Sequence, residues 1–119
     1  MRNFRSLNVW KNGIELVKIV YRLSVLLPEE EKFGIKSQIC RAAVSVPSNI
    51  AEGCSRSSEL EYKRFLEIAT GSLFEIETLL VIIQELEFIN AEKISQVIEQ
   101  VQTEQKMVNN LISRIKVNI

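Results

Sequence analysis

Three arrangements in this 119-residue chain use residue types that do chemistry. Cys40 and Cys54 are two thiols fourteen positions apart. Ser113 and Lys116 have Ser-x-x-Lys spacing, and the glutamate pairs Glu75/Glu85 and Glu15/Glu67 offer carboxylates for acid and base work. Each lacks the partner its chemistry needs. The chain contains no His and no Asp, so all fifteen acids are Glu. That removes the commonest general base and the commonest transition-metal ligand. A di-iron bundle needs Glu-x-x-His pairs, and zinc needs more than two separated Cys. There is no Gly-rich phosphate loop. On one helix the two Cys would stand about 21 Å apart, beyond disulfide reach. Reduced, buried thiols are therefore expected, and neither has a His to activate it. The Ser-x-x-Lys match falls in the last turn of the chain, where nothing can close over it, and Glu on a helix face is ordinarily a solvated charge. The expectation is a protein that is not an enzyme, with no catalytic residue, cofactor or metal.

The elements that must carry these residues all show helical periodicity. A first segment over about 9–26 carries Trp10, Ile14, Val17, Tyr21 and Ser24 as its stripe, with Asn8 as N-cap and Pro28 beyond its end. The run Glu29-Glu30-Glu31 favours the start of the next helix through its dipole. A second segment, about 32–53, has Ile35, Ile39, Ala42, Ala43, Val46 and Ile50 on one face and Gly53 as its stop signal. Pro47 lies inside it, so a kink near Pro47 is expected, two shorter helices being the alternative. A third, 59–86, opens on the capping box of Ser58 and Glu61 and carries Tyr62, Phe65, Leu66, Ala69, Leu73, Ile76, Leu80 and Ile83. A fourth, 91–116, starts at the N-cap Asn90, and its stripe includes Ile94, Val97, Val101 and Val108. Glu104 and Gln105 interrupt that stripe. They are either a polar layer in the core or, as expected here, exposed by a shift of register. Short joints over 27–31, 54–58 and 87–90 make neighbouring helices antiparallel. The fold class is all-α: one domain over 1–119, an up-down-up-down four-helix bundle.

The helices carry more apolar surface than one bundle needs. Phe74 and Val81 fall outside the main stripe of the third helix, and Ile68, Ile82 and Leu86 fall outside it on the other flank. Ile19, Leu23 and Leu26 lie beyond the first stripe, while Cys40, Val44, Ala51 and Cys54 form a second, small-residue stripe on the second helix. Extra stripes on three helices predict self-association, with Phe74, Val81, Val44 and Ala51 as interface residues. Residues 1–5 are followed by mixed polar residues, with no apolar leader run, and no stretch of about 18 uncharged apolar residues occurs. A cytoplasmic protein without membrane contact is expected.

The run from Phe33 to Gly53, FGIKSQICRAAVSVPSNIAEG, resembles the signature of the bacterial four-helix-bundle family named after proteins encoded within 23S rRNA intervening sequences. Leu7-Asn8-Val9-Trp10, Tyr21, Ser57, Glu61, Tyr62, the run 69–73 and the run 75–78 resemble it too, so the likeness covers about 4–90. The resemblance implies a homopentamer shaped as a tapered barrel with a central channel. It also implies a similarity to the accessory protein of diversity-generating retroelements, which binds a reverse transcriptase and nucleic acid.

Charge is where the chain departs from those basic relatives. Fifteen Lys and Arg balance fifteen Glu, and phosphate binding needs clustered cations. The charge is uneven, however. Residues 1–59 hold nine basic and six acidic groups, and residues 60–119 hold six and nine. Arg2, Arg5, Arg41, Arg56, Lys63 and Arg64 are the residues through which RNA, or a nucleic-acid-associated partner, would be contacted. The favoured reading is a non-catalytic oligomeric scaffold, with nucleic-acid binding as the alternative.

Overall fold

The computed structural model describes residues 1–117. Among these, the regular elements are two 3-10 turns and four α-helices: α1 (Asn8–Ser24), α2 (Ile35–Cys54), α3 (Glu59–Glu85) and α4 (Ala91–Arg114). The turns are Phe4–Ser6, just before α1, and Glu29–Glu31, between α1 and α2. The four helices pack as an all-α bundle measuring 47 × 24 × 22 Å, around one cluster to which each contributes.

Local chemistry explains the helix ends. The Asn90 side chain accepts a hydrogen bond from the Lys93 N–H at 2.8 Å, and the Ser58 hydroxyl accepts from the Glu61 N–H at 3.1 Å. Both are the expected caps. The first helix differs. Its N-cap is Leu7, whose carbonyl accepts from the N–H groups of Trp10 and Lys11, and Asn8 is already inside the helix. The preceding 3-10 turn, capped by Asn3, feeds the chain straight into α1, so no side-chain cap is needed. The joint between α1 and α2 is longer than expected. The three glutamates form a turn of their own, and α2 starts only at Ile35, where the Glu31 carboxylate accepts from the Ile35 N–H at 3.4 Å.

α2 runs as one helix of 20 residues through Pro47, which excludes two shorter helices. It also runs past Gly53, so that glycine is not a stop signal. A Cβ there would sit 2.9 Å from Phe65 Cβ and 3.2 Å from the Tyr62 ring, so Gly53 permits a close approach of α2 to α3. Farther along the pair, the Ser45 and Ser72 hydroxyls meet at 2.6 Å and Gln38 donates to Glu75 at 3.3 Å. Positions on α3 therefore rise as those on α2 fall.

The core overturns two expectations. On α1 the buried face is Val9, Gly13, Leu16, Val20, Leu23 and Ser24, continued by Leu27. Ile14 and Tyr21, expected inside, are exposed. The two candidate stripes have the same spacing and lie side by side. Burying Val9, Leu16, Val20, Leu23 and Leu27 leaves Tyr21 at the surface, and the buried Ser24 hydroxyl donates to the Tyr21 carbonyl at 2.7 Å. On α4, Glu104 is not exposed. It lies wholly inside, in step with Ile94, Val97, Val101 and Val108, while Gln105 is half-buried. The register does not shift, and the polar layer is the arrangement adopted.

Candidate interaction surfaces

Two surfaces gather the residues singled out from the sequence. The first is the end of the bundle where the amino-terminal segment crosses the α2–α3 joint. The Arg2 N–H donates to the Cys54 carbonyl at 3.2 Å, which ties the segment down. The Arg2 guanidinium then lies 3.9 Å over the Tyr62 ring, pairs with Glu59 and reaches the Arg56 carbonyl at 3.5 Å. Arg56 stacks 4.8 Å over Phe65 and pairs with Glu52 at 3.7 Å, leaving its Nε buried without a partner. Arg2 and Arg56 thus come together, but each is held by a carboxylate and an aromatic face. Lys63 is half-buried in the first turns of α3. Arg5, Arg41 and Arg64 are exposed, Arg41 lying thirteen residues before Cys54 on α2.

Of the two thiols, Cys54 lies at this end and Cys40 lies near the opposite end of α2. Cys40 and Cys54 are free and buried. Burial pushes the Cys54 thiol up from its ordinary value, against smaller opposing effects of Tyr62 and Arg2. Burial, chiefly, likewise raises the Tyr62 hydroxyl. A raised thiol stays protonated and is a poor nucleophile. Among the described residues, no group of three or more His, Cys, Asp or Glu side chains is arranged to hold a metal ion. Ser113 donates to its own helix at the Asn110 carbonyl, and Glu15 pairs with Lys18 at 3.3 Å.

The second surface is apolar and lies along α3 and α4. Phe74 is 60% exposed, with Val81 and Ile82 exposed beside it. These three, with Glu77, Gln102 and Gln105, line an open groove of about 540 Å³. Glu77 accepts from Gln105 at 2.8 Å and from Gln102 at 3.3 Å, which fixes the polar side of the groove. Ile68 and Leu86 extend the apolar exposure of α3. Of the small-residue stripe on α2, Val44 is exposed and Ala51 half-buried, whereas Cys40 and Cys54 belong to the core. Sequence reasoning missed the outward Ile14 and Tyr21 on α1 and gave no role to Phe33, which is 90% exposed. The detectable signal for the first two was the unbroken series Val9, Gly13, Leu16, Val20, Leu23, Leu27 beside them.

Among the described residues, no helix is long and apolar enough to cross a membrane. No curated protein matches the chain. A solved structure from Bacteroides thetaiotaomicron VPI-5482, of a protein of unknown function from the S23 ribosomal protein family, has the same fold. It superposes with a TM-score of 0.81 at 24% identity, over 87% of this chain and 97% of that one. The family model described as 23S rRNA-intervening sequence protein matches residues 5–110, within which both surfaces lie apart from Arg2. The chain belongs to the 23S rRNA-intervening sequence protein family.

Proposed function

We propose that this protein is a non-catalytic homo-oligomeric scaffold or adaptor that buries the α3–α4 face against further copies of itself. The supporting observation is the exposure of Phe74, Val81 and Ile82 in one groove with a polar side of Glu77, Gln102 and Gln105. An apolar centre with a polar margin is the composition of an interface. An apolar patch of this kind is costly to leave in water. Val44 and Ala51 on α2 supply a second contact zone, and the family resemblance makes five the expected number of copies. The burial of both thiols, with the Cys54 thiol pushed up by it, supports a role without catalysis.

The test is the mass in solution. Light scattering at micromolar concentration is expected to give about five protomers, and a monomer would overturn the assembly. The rival role, an accessory protein that binds RNA or DNA beside a nucleic-acid-processing partner, draws less support. Two of its six candidate cations, Arg2 and Arg56, are already paired with Glu59 and Glu52. Salt-dependent binding to structured RNA at about 50 mM salt, lost on replacing Arg41 and Arg64, would favour that role instead.

A further inference from the structure

Among the described residues, Glu104 is the one fully buried carboxyl, and neither surface uses it. It sits where α4 meets α1, with Pro47 of α2 next to Gly13. Its Oε1 accepts from the Asn12 side-chain N–H at 3.0 Å, while its Oε2 is buried without any partner. The space around Oε2 depends on a missing side chain. A Cβ on Gly13 would lie 3.1 Å from Oε2 and 3.5 Å from Pro47 Cβ, so α1 leaves just enough room for the carboxyl against α2. Pro47 has no N–H to offer. The carboxyl therefore has one donor, a neutral amide, and no cation.

The other charged groups near α4 do not alter this. On α1, Glu15 lies beside Asn12 on the rim of an open groove of about 290 Å³ between the helices, where it pairs with Lys18. On α3, Glu77 is taken up by Gln102 and Gln105, which point to other sides of α4. On α2, the uncharged Pro47 lies next to Gly13. Burial pushes the Glu104 carboxyl up to about 7, with only the Asn12 bond opposing it.

The seam that Glu104 closes has less polar fastening than the two seams that α3 makes. α2 and α3 are joined by Ser45 with Ser72 and by Gln38 with Glu75, and α3 and α4 by Glu77 with two glutamines. Among the described residues, Asn12 with Glu104 is the only polar side-chain contact between α1 and α4. Open grooves run along the same seam, one beside Asn12 and Gln100, another at Ile19, Leu23 and Gln96. Water can thus reach the carboxyl by a small separation of these two helices.

We propose that Glu104 is a proton-dependent latch on the α1–α4 seam: the neutral acid keeps the seam closed against Asn12, Gly13 and Pro47, and ionisation loosens it while leaving α2 and α3 paired. A buried neutral acid costs far less than a buried unpaired charge. Loss of the proton is relieved by admitting water along the groove. The latch is independent of the assembly proposed above, because it lies inside one protomer.

Hydrogen exchange at fixed protein concentration, corrected for the intrinsic pH dependence of exchange, tests it between about pH 5.5 and 8. The expected result is a fall in protection on the order of thirtyfold, confined to the α1 turns around Asn12 and the α4 turns around Glu104. In Glu104→Gln this fall should vanish. Equal loss in all four helices, or the same fall in Glu104→Gln, would overturn the latch. Should that variant fail to fold, carbon NMR of the wild-type side-chain carboxyls decides the matter. One glutamate titrating near neutrality, and moving higher in Asn12→Ala, supports the latch, whereas all fifteen titrating together in the ordinary acidic range overturns it.

Discussion

A single buried carboxylate gives the fold a direction of pH dependence. The Glu104 carboxyl titrates near 4.5 in the open chain and near 7 in the bundle, so the folded state binds its proton more tightly across that window. Stability is intact below about 4.5 and is lost as pH rises through about 7, by about 3 kcal/mol from this group. Urea unfolding at pH 5 and pH 8 should show this difference between wild type and Glu104→Gln, with the variant less dependent on pH. Two glycines make an opposed pair at the same scale. Gly53→Ala puts a Cβ 2.9 Å from Phe65 Cβ and should destabilise by about 1–3 kcal/mol, outweighing the gain in helix propensity. Gly71→Ala meets nothing within 4 Å on an exposed face of α3 and should stabilise by about 0.5–1 kcal/mol. Thermal melts of the two variants should move in opposite directions. None of these three environments is visible in the residue's own type. Gly53 and Gly71 look alike in the sequence, and Glu104 looks like a surface acid until four neighbours on its helix are seen to be buried with it.

Among the elements, the α3–α4 joint shows how a strained residue closes a helix. The Glu87 N–H donates to the Gln84 carbonyl at 3.0 Å and the Phe88 N–H to the Ile83 carbonyl at 3.1 Å, the paired bonds of a Schellman motif. Glu87 occupies the left-handed position that this motif needs, with φ 59°, where glycine is ordinarily found. Glu87→Gly should therefore stabilise by about 0.5–1 kcal/mol in thermal unfolding, and a loss of stability would refute that account. The helix starts Ser58 and Asn90 were legible in the sequence because a cap is a local event, set within four residues. The start of α1 was not. Asn8 has the right chemistry for a cap, but the preceding turn decides where the helix begins, and Asn3 caps that turn. Helix faces divide the same way. On α4 one stripe was available and was read correctly apart from Glu104. On α1 two stripes of equal spacing competed, and only the partner helices distinguish them.

At the scale of the whole molecule, the apolar face of α3 is expected to act between protomers. Phe74→Glu should lower the assembled mass in light scattering while leaving the melting temperature of the protomer nearly unchanged, because Phe74 is 60% exposed within one copy. Equal loss of assembly and folding would place Phe74 in the core of the protomer's stability instead. This face was legible from the sequence, since Phe74 and Val81 stand outside a stripe already filled by Leu73, Ile76 and Leu80. The cation cluster was only half legible. Arg2 and Arg56 are far apart in the chain, and their meeting over Tyr62 and Phe65 depends on the amino-terminal segment folding back to Cys54. By itself the sequence determined the helices, their caps at Ser58 and Asn90 and the absence of His and Asp, because periodicity, capping and composition are properties of neighbouring residues or of simple counts. The tertiary structure alone decided which face of α1 is buried, that Gly53 is a contact and not a stop, that Arg2 and Arg56 are already paired, and that Glu104 lies in the core. Each of those depends on atoms brought together from distant parts of the chain, where burial and unpaired charge, not local propensity, set the energy.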